Sequence, residues 1–279
     1  MQIKHRDQTY EYSIERLETD GRIPALIPTH DSGDLLRHCL TIMLDSGAIE
    51  DLYPVIIDDR STEDLSEVLD DFKCGHIRID HSYIFNYSAN LNIGAQVLYE
   101  DGQNTALFMN NDCYIHNQTY LKQFILRHKT NKSDLSGTKL VYPPATLSFK
   151  DEVEQPERVQ FGDGAFYKSL HIPVHIGRGE KPEHFQVNMD CITRGYITGA
   201  FNLVELKTFM DYGGYDMDLP GAFQDVLYSL QLLAGNRRVC YFGEDIFFYH
   251  DETTTRMDDW LVNGSDVAEV YHEKLKGLI

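Results

Sequence analysis

No stretch of this 279-residue chain is apolar for long enough to cross a bilayer. Met1 to Asp20 is charged and lacks an apolar core of the signal-peptide kind, so no export signal is expected. Positive charge is scarce: 25 Lys and Arg stand against 44 Asp and Glu, a net charge of -19. That excludes non-specific nucleic-acid binding, which rests on basic phosphate contacts, and disfavours a polybasic grip on anionic lipid. Five cysteines are scattered without a C-x-x-C pair, which excludes a zinc ribbon and suggests no disulfide framework. A reducing compartment is expected. There is no internal repeat and no low-complexity linker. Hydrophobic content of 42% is enough to bury a sizeable core in one large α/β domain or two small ones.

Taken in order, strands and helices alternate. Residues 1–22 are polar and without a clear period, and read as an N-terminal extension with at most one short strand or helix. Ile23 to Pro28 is a short apolar strand, followed by the polar turn from Thr29 to Asp34. Leu35, Leu36, Cys39, Leu40, Met43 and Leu44 recur at helical spacing. Tyr53 to Ile57 is the next strand and ends at Asp58 and Asp59. Ser61, three residues before Asp64, is expected to cap the following helix. His76–Ile79 is a strand, Asn86–Tyr99 a helix, Ala106–Met109 a strand and Tyr120–His128 a helix. Four such alternations predict a parallel sheet built from right-handed crossovers. Further on, Ser136–Tyr142 reads as a strand and Val204–Met210 as a helix stopped by Gly213 and Gly214. Phe161–Asp190 has no sustained period and reads as a functional loop. A helix opens near Pro220, and a last one covers Ser265–Leu275.

In a parallel sheet the polar strand ends share one edge. That edge would gather Thr29 and Asp31, Asp58 and Asp59, and Asn111 and Asp112. Ligands of open α/β sheets bind there. A cluster of acids is costly unless a cation or sugar hydroxyls satisfy it. Asp112 is placed to hold a hard divalent cation, and Asn110 and Asn111 to reach a ribose or phosphate. By itself, the Asn-Asn-Asp run also suits a plain polar turn.

The order of pieces resembles a family-2 glycosyltransferase of the GT-A fold, nearest to bacterial enzymes that build rhamnose-rich or O-antigen-like polysaccharides. The matching pieces span Ile23 to Arg256: Pro28-Thr29-His30-Asp31, Ile56 through Ser61, Asn86 through Ala95, Phe108 through Asp112, Thr198-Gly199-Ala200, Gly213 through Asp216 with Gln224-Asp225, and His250 through Arg256. The resemblance implies a Rossmann-like, mostly parallel α/β sheet flanked by helices. It implies a nucleotide-sugar-binding half over 23–115, an acceptor-binding and catalytic half over 116–256, and a helical tail over 257–279. It implies that Thr29, Asp31, Asp58, Asp59, Asn92, Asn110, Asn111 and Arg256 contact the nucleotide sugar. Asp112 and His250 would hold a divalent metal, Mn2+ or Mg2+. Thr198, Gly199 and Gln224 would lie on the acceptor side, and Asp225 would be the catalytic base of an inverting transfer.

Two departures from the family pattern stand out. Asn110 replaces the first acid of the D-x-D metal motif, and Gln224 replaces the acid before the base. The implied partners are a nucleotide-sugar donor and a glycan or lipid-linked acceptor, used in the cytoplasm at the inner face of a membrane by peripheral association. Competing readings are a non-catalytic nucleotide-sugar-binding protein and a sugar-1-phosphate nucleotidyltransferase. The second would place a Gly-rich, basic loop after its first strand, whereas Thr29–Asp34 has one Gly and no Lys.

Overall fold

The computed structural model describes residues 1–150, 155–167, 172–185, 191–192, 195–252 and 264–276. The chain runs through β1 (Gln2–His5), β2 (Gln8–Arg16), β3 (Ile23–Thr29), α1 (Gly33–Asp45), β4 (Leu52–Asp59), α2 (Ser66–Asp71), β5 (Gly75–Asp80) and α3 (Tyr87–Glu100). It continues through β6 (Thr105–Met109), β7 (Cys113–Tyr114), α4 (Gln118–Asn131), β8 (Leu135–Gly137), β9 (Lys139–Val141), β10 (Val159–Phe161), β11 (Gly164–Tyr167) and β12 (Ile172–His175). The last elements are β13 (Cys191–Ile192), β14 (Phe201–Glu205), α5 (Leu206–Asp211), α6 (Gln224–Ala234), β15 (Val239–Tyr241), β16 (Phe247–His250) and α7 (Gly264–Leu275).

The main sheet has ten strands in the order β1-β2-β5-β4-β3-β6-β14-β8-β15-β13. Its centre is parallel: β3 pairs with β4 and β6, and β4 with β5. Every residue of β4 is buried, as a strand covered on both faces requires. In this register Thr29 sits beside Asp58, so the polar ends of β3 and β4 lie on one edge as the alternation predicts. A second sheet, β10-β9-β16-β7, stands next to that edge and carries His250. α3 begins at Asn86, whose side chain accepts the Ala89 N–H at 2.9 Å, a regular N-cap.

Several expectations differ from what is seen. The polar stretch before Ile23 forms a hairpin, and β2 joins the sheet antiparallel to β5 with Tyr10 and Tyr12 in the core. Ser136–Tyr142 is not one strand. The chain changes sheets at Thr138, whose hydroxyl donates toward the carbonyls of Phe242 and Ile246, so β8 follows β15 while β9 follows β16. Val204 is in a strand rather than a helix, because β14 is paired on both sides, by β6 and β8. Ser61 caps no helix: its Oγ accepts the Asp31 N–H at 3.1 Å, and Asp64 instead accepts the Ser66 N–H at 2.9 Å. The stretch without period contains β10, β11 and β12. Cys39, Cys74 and Cys113 are free and buried, whereas Cys240 is disulfide-bonded, which the scattered cysteines do not suggest.

Candidate active site

The turn after β3 is built before any ligand is considered. Asp31 takes a left-handed backbone, φ 44°, and its Oδ1 accepts from Thr62 N at 2.6 Å, Thr62 Oγ1 at 3.1 Å and Glu63 N at 3.2 Å. Burial raises its pKa, but the Thr62 and Glu63 N–H groups outweigh that and hold it below the usual carboxylate value. Thr29 Oγ1 meets Ser32 Oγ at 2.9 Å. Asn111 donates to both of these, at 3.2 and 2.9 Å, and so ties the first turn to the end of β6.

Asp58 and Asp59 are buried, and protein groups already satisfy them. Asp58 accepts from Arg78 at 2.8 Å and from Ser61 N at 2.9 Å, with His76 Nε2 at 3.4 Å. Burial raises the Asp58 pKa, and His76, Ser61 and Arg78 together bring it below the usual value. Asp59 meets His81 Nε2 at 2.8 Å, Asn90 Nδ2 at 2.8 Å and Arg60 Nε at 3.3 Å. The expected acid cluster is therefore balanced by His76, Arg78 and His81, which the sequence reading does not single out. Asn92 stands apart from the edge in this sense: its amide both donates to the Tyr215 carbonyl and accepts the Tyr215 N–H, each at 2.8 Å. It clamps the chain at Gly214, φ 73°, where a Cβ would lie 2.5 Å from Asn92 Oδ1. Both atoms of its amide are engaged by the Tyr215 backbone.

The end of β6 is different. Asp112 is 2% exposed, and its Oδ1 has no hydrogen-bond partner among the described residues. His250 Nε2 lies 3.2 Å from that oxygen, an ion-pair distance. Burial raises the Asp112 pKa and the neighbouring His250 more than offsets it, so the carboxylate stays ionised. Asn110 Nδ2 is 3.4 Å from the same His250 nitrogen. On the other side of the ring, His250 Nδ1 faces Gln160 Oε1 at 3.3 Å.

Two ligand-type atoms 3.2 Å apart, one of them an orphaned carboxylate oxygen, suit adjacent positions around an octahedral cation with bonds of about 2.1 Å. Cys113 is near enough to be a third ligand, since the ligating atoms of Asp112, Cys113 and His250 lie within 4.8 Å of one another. Its thiol instead donates to the Ala200 carbonyl at 3.2 Å, and burial pushes its pKa well up, so it remains a thiol. The oxygen and nitrogen donors fit Mn2+ or Mg2+ better than a soft metal.

Asp225 lies in the first turn of α6, behind Phe223, whose left-handed backbone at φ 66° is costly for a bulky residue. Asp225 Oδ2 accepts the Gly199 N–H at 2.6 Å and its Oδ1 the Val226 N–H at 2.8 Å. Burial raises its pKa, and the backbone N–H groups of Gly199, Val226 and Asp225 only partly reverse this. The residue as a whole is half-buried. Gln224 is buried and its Oε1 has no hydrogen-bond partner among the described residues.

The next residue after Gly199 closes the circuit: Ala200 accepts the Asn110 N–H at 2.9 Å. The turn that holds Asp225 and the turn that carries Asp112 are thus joined by one backbone step. Thr198 precedes it, with its Oγ1 accepting the Ala200 N–H at 3.3 Å. Tyr87 donates to the Gly199 carbonyl at 2.8 Å. The structure therefore brings together Asn110, Asp112, His250, Gly199, Gln224 and Asp225, with Asn111 and Thr29 behind them. Arg256 lies outside the described residues.

The sequence reading misses Gln160 and the cluster beyond it. Lys150 reaches the carbonyls of Asp251 and Glu252, and Arg178 pairs with Glu252 at 2.7 Å and donates to Tyr142 at 2.6 Å. Burial raises the Glu252 pKa, but Arg178 and Tyr142 bring it down to about 2. Glu252 falls in the His250–Arg256 stretch, but nothing in the order of residues marks Tyr142, Lys150, Gln160 or Arg178 as its neighbours or as those of His250.

Comparison with known proteins agrees with this architecture. The chain is 23% identical over 245 residues to the O-antigen biosynthesis protein RfbC of Myxococcus xanthus, a match covering 85% of this chain and 18% of that protein. Among solved structures, GalNAc-T7 with UDP, GalNAc and Mn2+ aligns with a TM-score of 0.61 at 13% identity, over 91% of this chain and 50% of that one. The mannosyltransferase PcManGT from Pyrobaculum calidifontis, in complex with GDP-Man and Mn2+, aligns with a TM-score of 0.58 at 11% identity, over 91% and 64%. The chain thus spans less than a fifth of the curated relative and half to two-thirds of these structures, whose likeness establishes the GT-A fold. The pattern of glycosyl transferase family 2 matches residues 25–180, more than half of the sequence, and the chain belongs to that family.

Proposed function

We propose that the protein transfers a sugar, with inversion, from a nucleotide-sugar donor to a glycan or lipid-linked acceptor in bacterial surface polysaccharide synthesis. The observation that carries this reading is the Asp225 carboxylate, held by the Gly199 N–H one residue from the backbone bond that joins Ala200 to Asn110. The Asn-Asn-Asp turn thereby faces the acceptor-side turn. Family membership and the Mn2+ complexes of GalNAc-T7 and PcManGT support it.

Asp225 takes the proton of the acceptor hydroxyl as its oxygen attacks the anomeric carbon. A carboxyl with a raised pKa is a better match to a proton acceptor at working pH than an ordinary one. Asp112 and His250 would hold a divalent cation, which when bound would supply charge neutralisation for the leaving diphosphate. Asn110 orients His250, while Thr29 and Asn111 shape the floor of the donor site from the ends of β3 and β6. Donor use takes place in the cytoplasm, at the inner face of the membrane. Among the described residues no helix is long and apolar enough to cross one.

The test is thermal stability against UDP-, GDP-, dTDP- and CMP-sugars with and without manganese, followed by transfer assays with the donor that binds. A ligand that prefers the native state raises the melting temperature by mass action. A shift with one nucleotide, enlarged by manganese and accompanied by turnover, is the expected result. Binding without turnover for any acceptor would leave a nucleotide-sugar-binding protein instead.

A further inference from the structure

Resting on the cation site of the preceding reading, we infer that Gln160 is the positioning residue for His250, fixing the ring tautomer so that Nε2 presents its lone pair beside Asp112. Gln160 is 3% exposed, and its Oε1 lies 3.3 Å from His250 Nδ1. An amide oxygen only accepts, so the hydrogen of the neutral ring sits on Nδ1 and Nε2 is left without one. Nε2 itself faces the Asn110 amide nitrogen at 3.4 Å and Asp112 Oδ1 at 3.2 Å, and a lone pair there beside a carboxylate is favourable when a cation lies between the two. Asp112 Oδ1 has no hydrogen-bond partner among the described residues, so it and Nε2 are both left for the cation.

The backbone explains why Gln160 points there. β10 pairs with β9 as Val159 opposite Val141 and Phe161 opposite Leu140, so Gln160 is an extra residue in a β-bulge. A regular strand would send residues 159 and 161 to one face and 160 to the other. The bulge instead re-aims a side chain, a use bulges have beside functional sites. Val159 and Phe161 are themselves buried, so the bulge lets three consecutive residues face the interior. The Gln160 carbonyl meets His175 Nδ1 at 3.2 Å, which anchors the same bulge from β12. Partners behind a metal-binding histidine hold ring orientation, and losing one weakens metal affinity about 10- to 100-fold.

The test compares manganese uptake, with the metal alone, by loss of the free-ion electron paramagnetic resonance signal. Gln160→Met removes the acceptor at nearly constant size, and Gln160→Glu keeps one. Roughly 10-fold or greater weakening in Gln160→Met, with Gln160→Glu within a few-fold of wild type, is expected. Equal affinity in all three overturns the inference and leaves the cation site standing. No uptake by the wild type overturns both. Nitrogen-15 spectra of the wild type with magnesium give a check that needs no variant: an Nδ1–H ring for His250 is expected, and an Nε2–H ring with magnesium bound overturns the inference.

Discussion

Asp225 Oδ2 and the Gly199 N–H are 2.6 Å apart, although 26 residues separate them in the chain. This bond sets the direction of the carboxylate and leaves its second oxygen near the α6 N-terminus, where it meets Val226 N–H. The first predictions follow from it.

Asp225→Asn keeps the size and the Gly199 contact but loses the proton acceptor. Transfer is expected to fall about 100-fold or more, with nucleotide-dependent thermal shifts unchanged. Normal turnover in this variant would remove Asp225 from the mechanism.

The pH dependence has a definite sign. Burial raises the Asp225 pKa above that of an ordinary carboxylate, so the active, ionised form is lost as pH falls through this raised value. The acid limb of the rate profile should therefore lie above the usual carboxylate range. It should disappear from the residual activity of Asp225→Asn.

Gly199→Ala would place a Cβ 3.3 Å from Asp225 Cβ and 3.4 Å from Oδ2, so the carboxylate must give by a few tenths of an ångström. About a 10-fold loss of kcat, with smaller change in donor binding, is expected because small misplacements cost much in positioned chemistry. Unchanged kcat would show that the carboxylate tolerates the shift.

Asp112→Ala removes the buried, unpartnered carboxylate oxygen. The manganese-dependent part of the thermal shift should vanish, as should any loss of activity on chelation. Persistent metal dependence in this variant would move the cation elsewhere.

His116 provides a pH prediction away from the site. It is packed against Tyr249, Phe247 and Tyr120, and burial lowers its pKa to about 4. The unfolded chain binds this proton near 6.5, so stability is complete above that value and declines as pH falls from 6.5 toward 4. The share lost is roughly 2 kcal/mol, allowing for partial exposure. A His116→Phe variant should show a flatter melting temperature over this range, and an equal slope would count against the assignment.

The β3–α1–β4–α2–β5–α3–β6 alternation was legible because each apolar run has the period of its element, and because parallel strands put their C-terminal ends on one edge. The same reasoning failed at Val204, where pairing with β6 and β8 outweighs local helical spacing. It failed again at Ser136–Tyr142, where Thr138 divides one apolar run between two sheets. Residues 1–22 showed no period because β1 and β2 form an edge hairpin whose buried residues, Tyr10 and Tyr12, are few.

The division at the site has a physical basis. Local order determines where Asp112, His250 and Asp225 stand, since strand ends and a helix start are short-range features. Whether an acid is satisfied depends on long-range partners. Asp58 and Asp59 stand on the expected edge, and the fold supplies them with Arg78, His76 and His81. Asn92 is likewise taken by Tyr215, 123 residues away. Asp112 keeps an unpartnered oxygen, and His250 gains Gln160 from a bulge 90 residues earlier. The sequence by itself determined the alternating α/β frame and the edge where polar groups collect. Only the tertiary structure decided which of those groups hold the protein together and which remain to meet a ligand, because a buried polar atom is spent or spare according to what the fold packs against it.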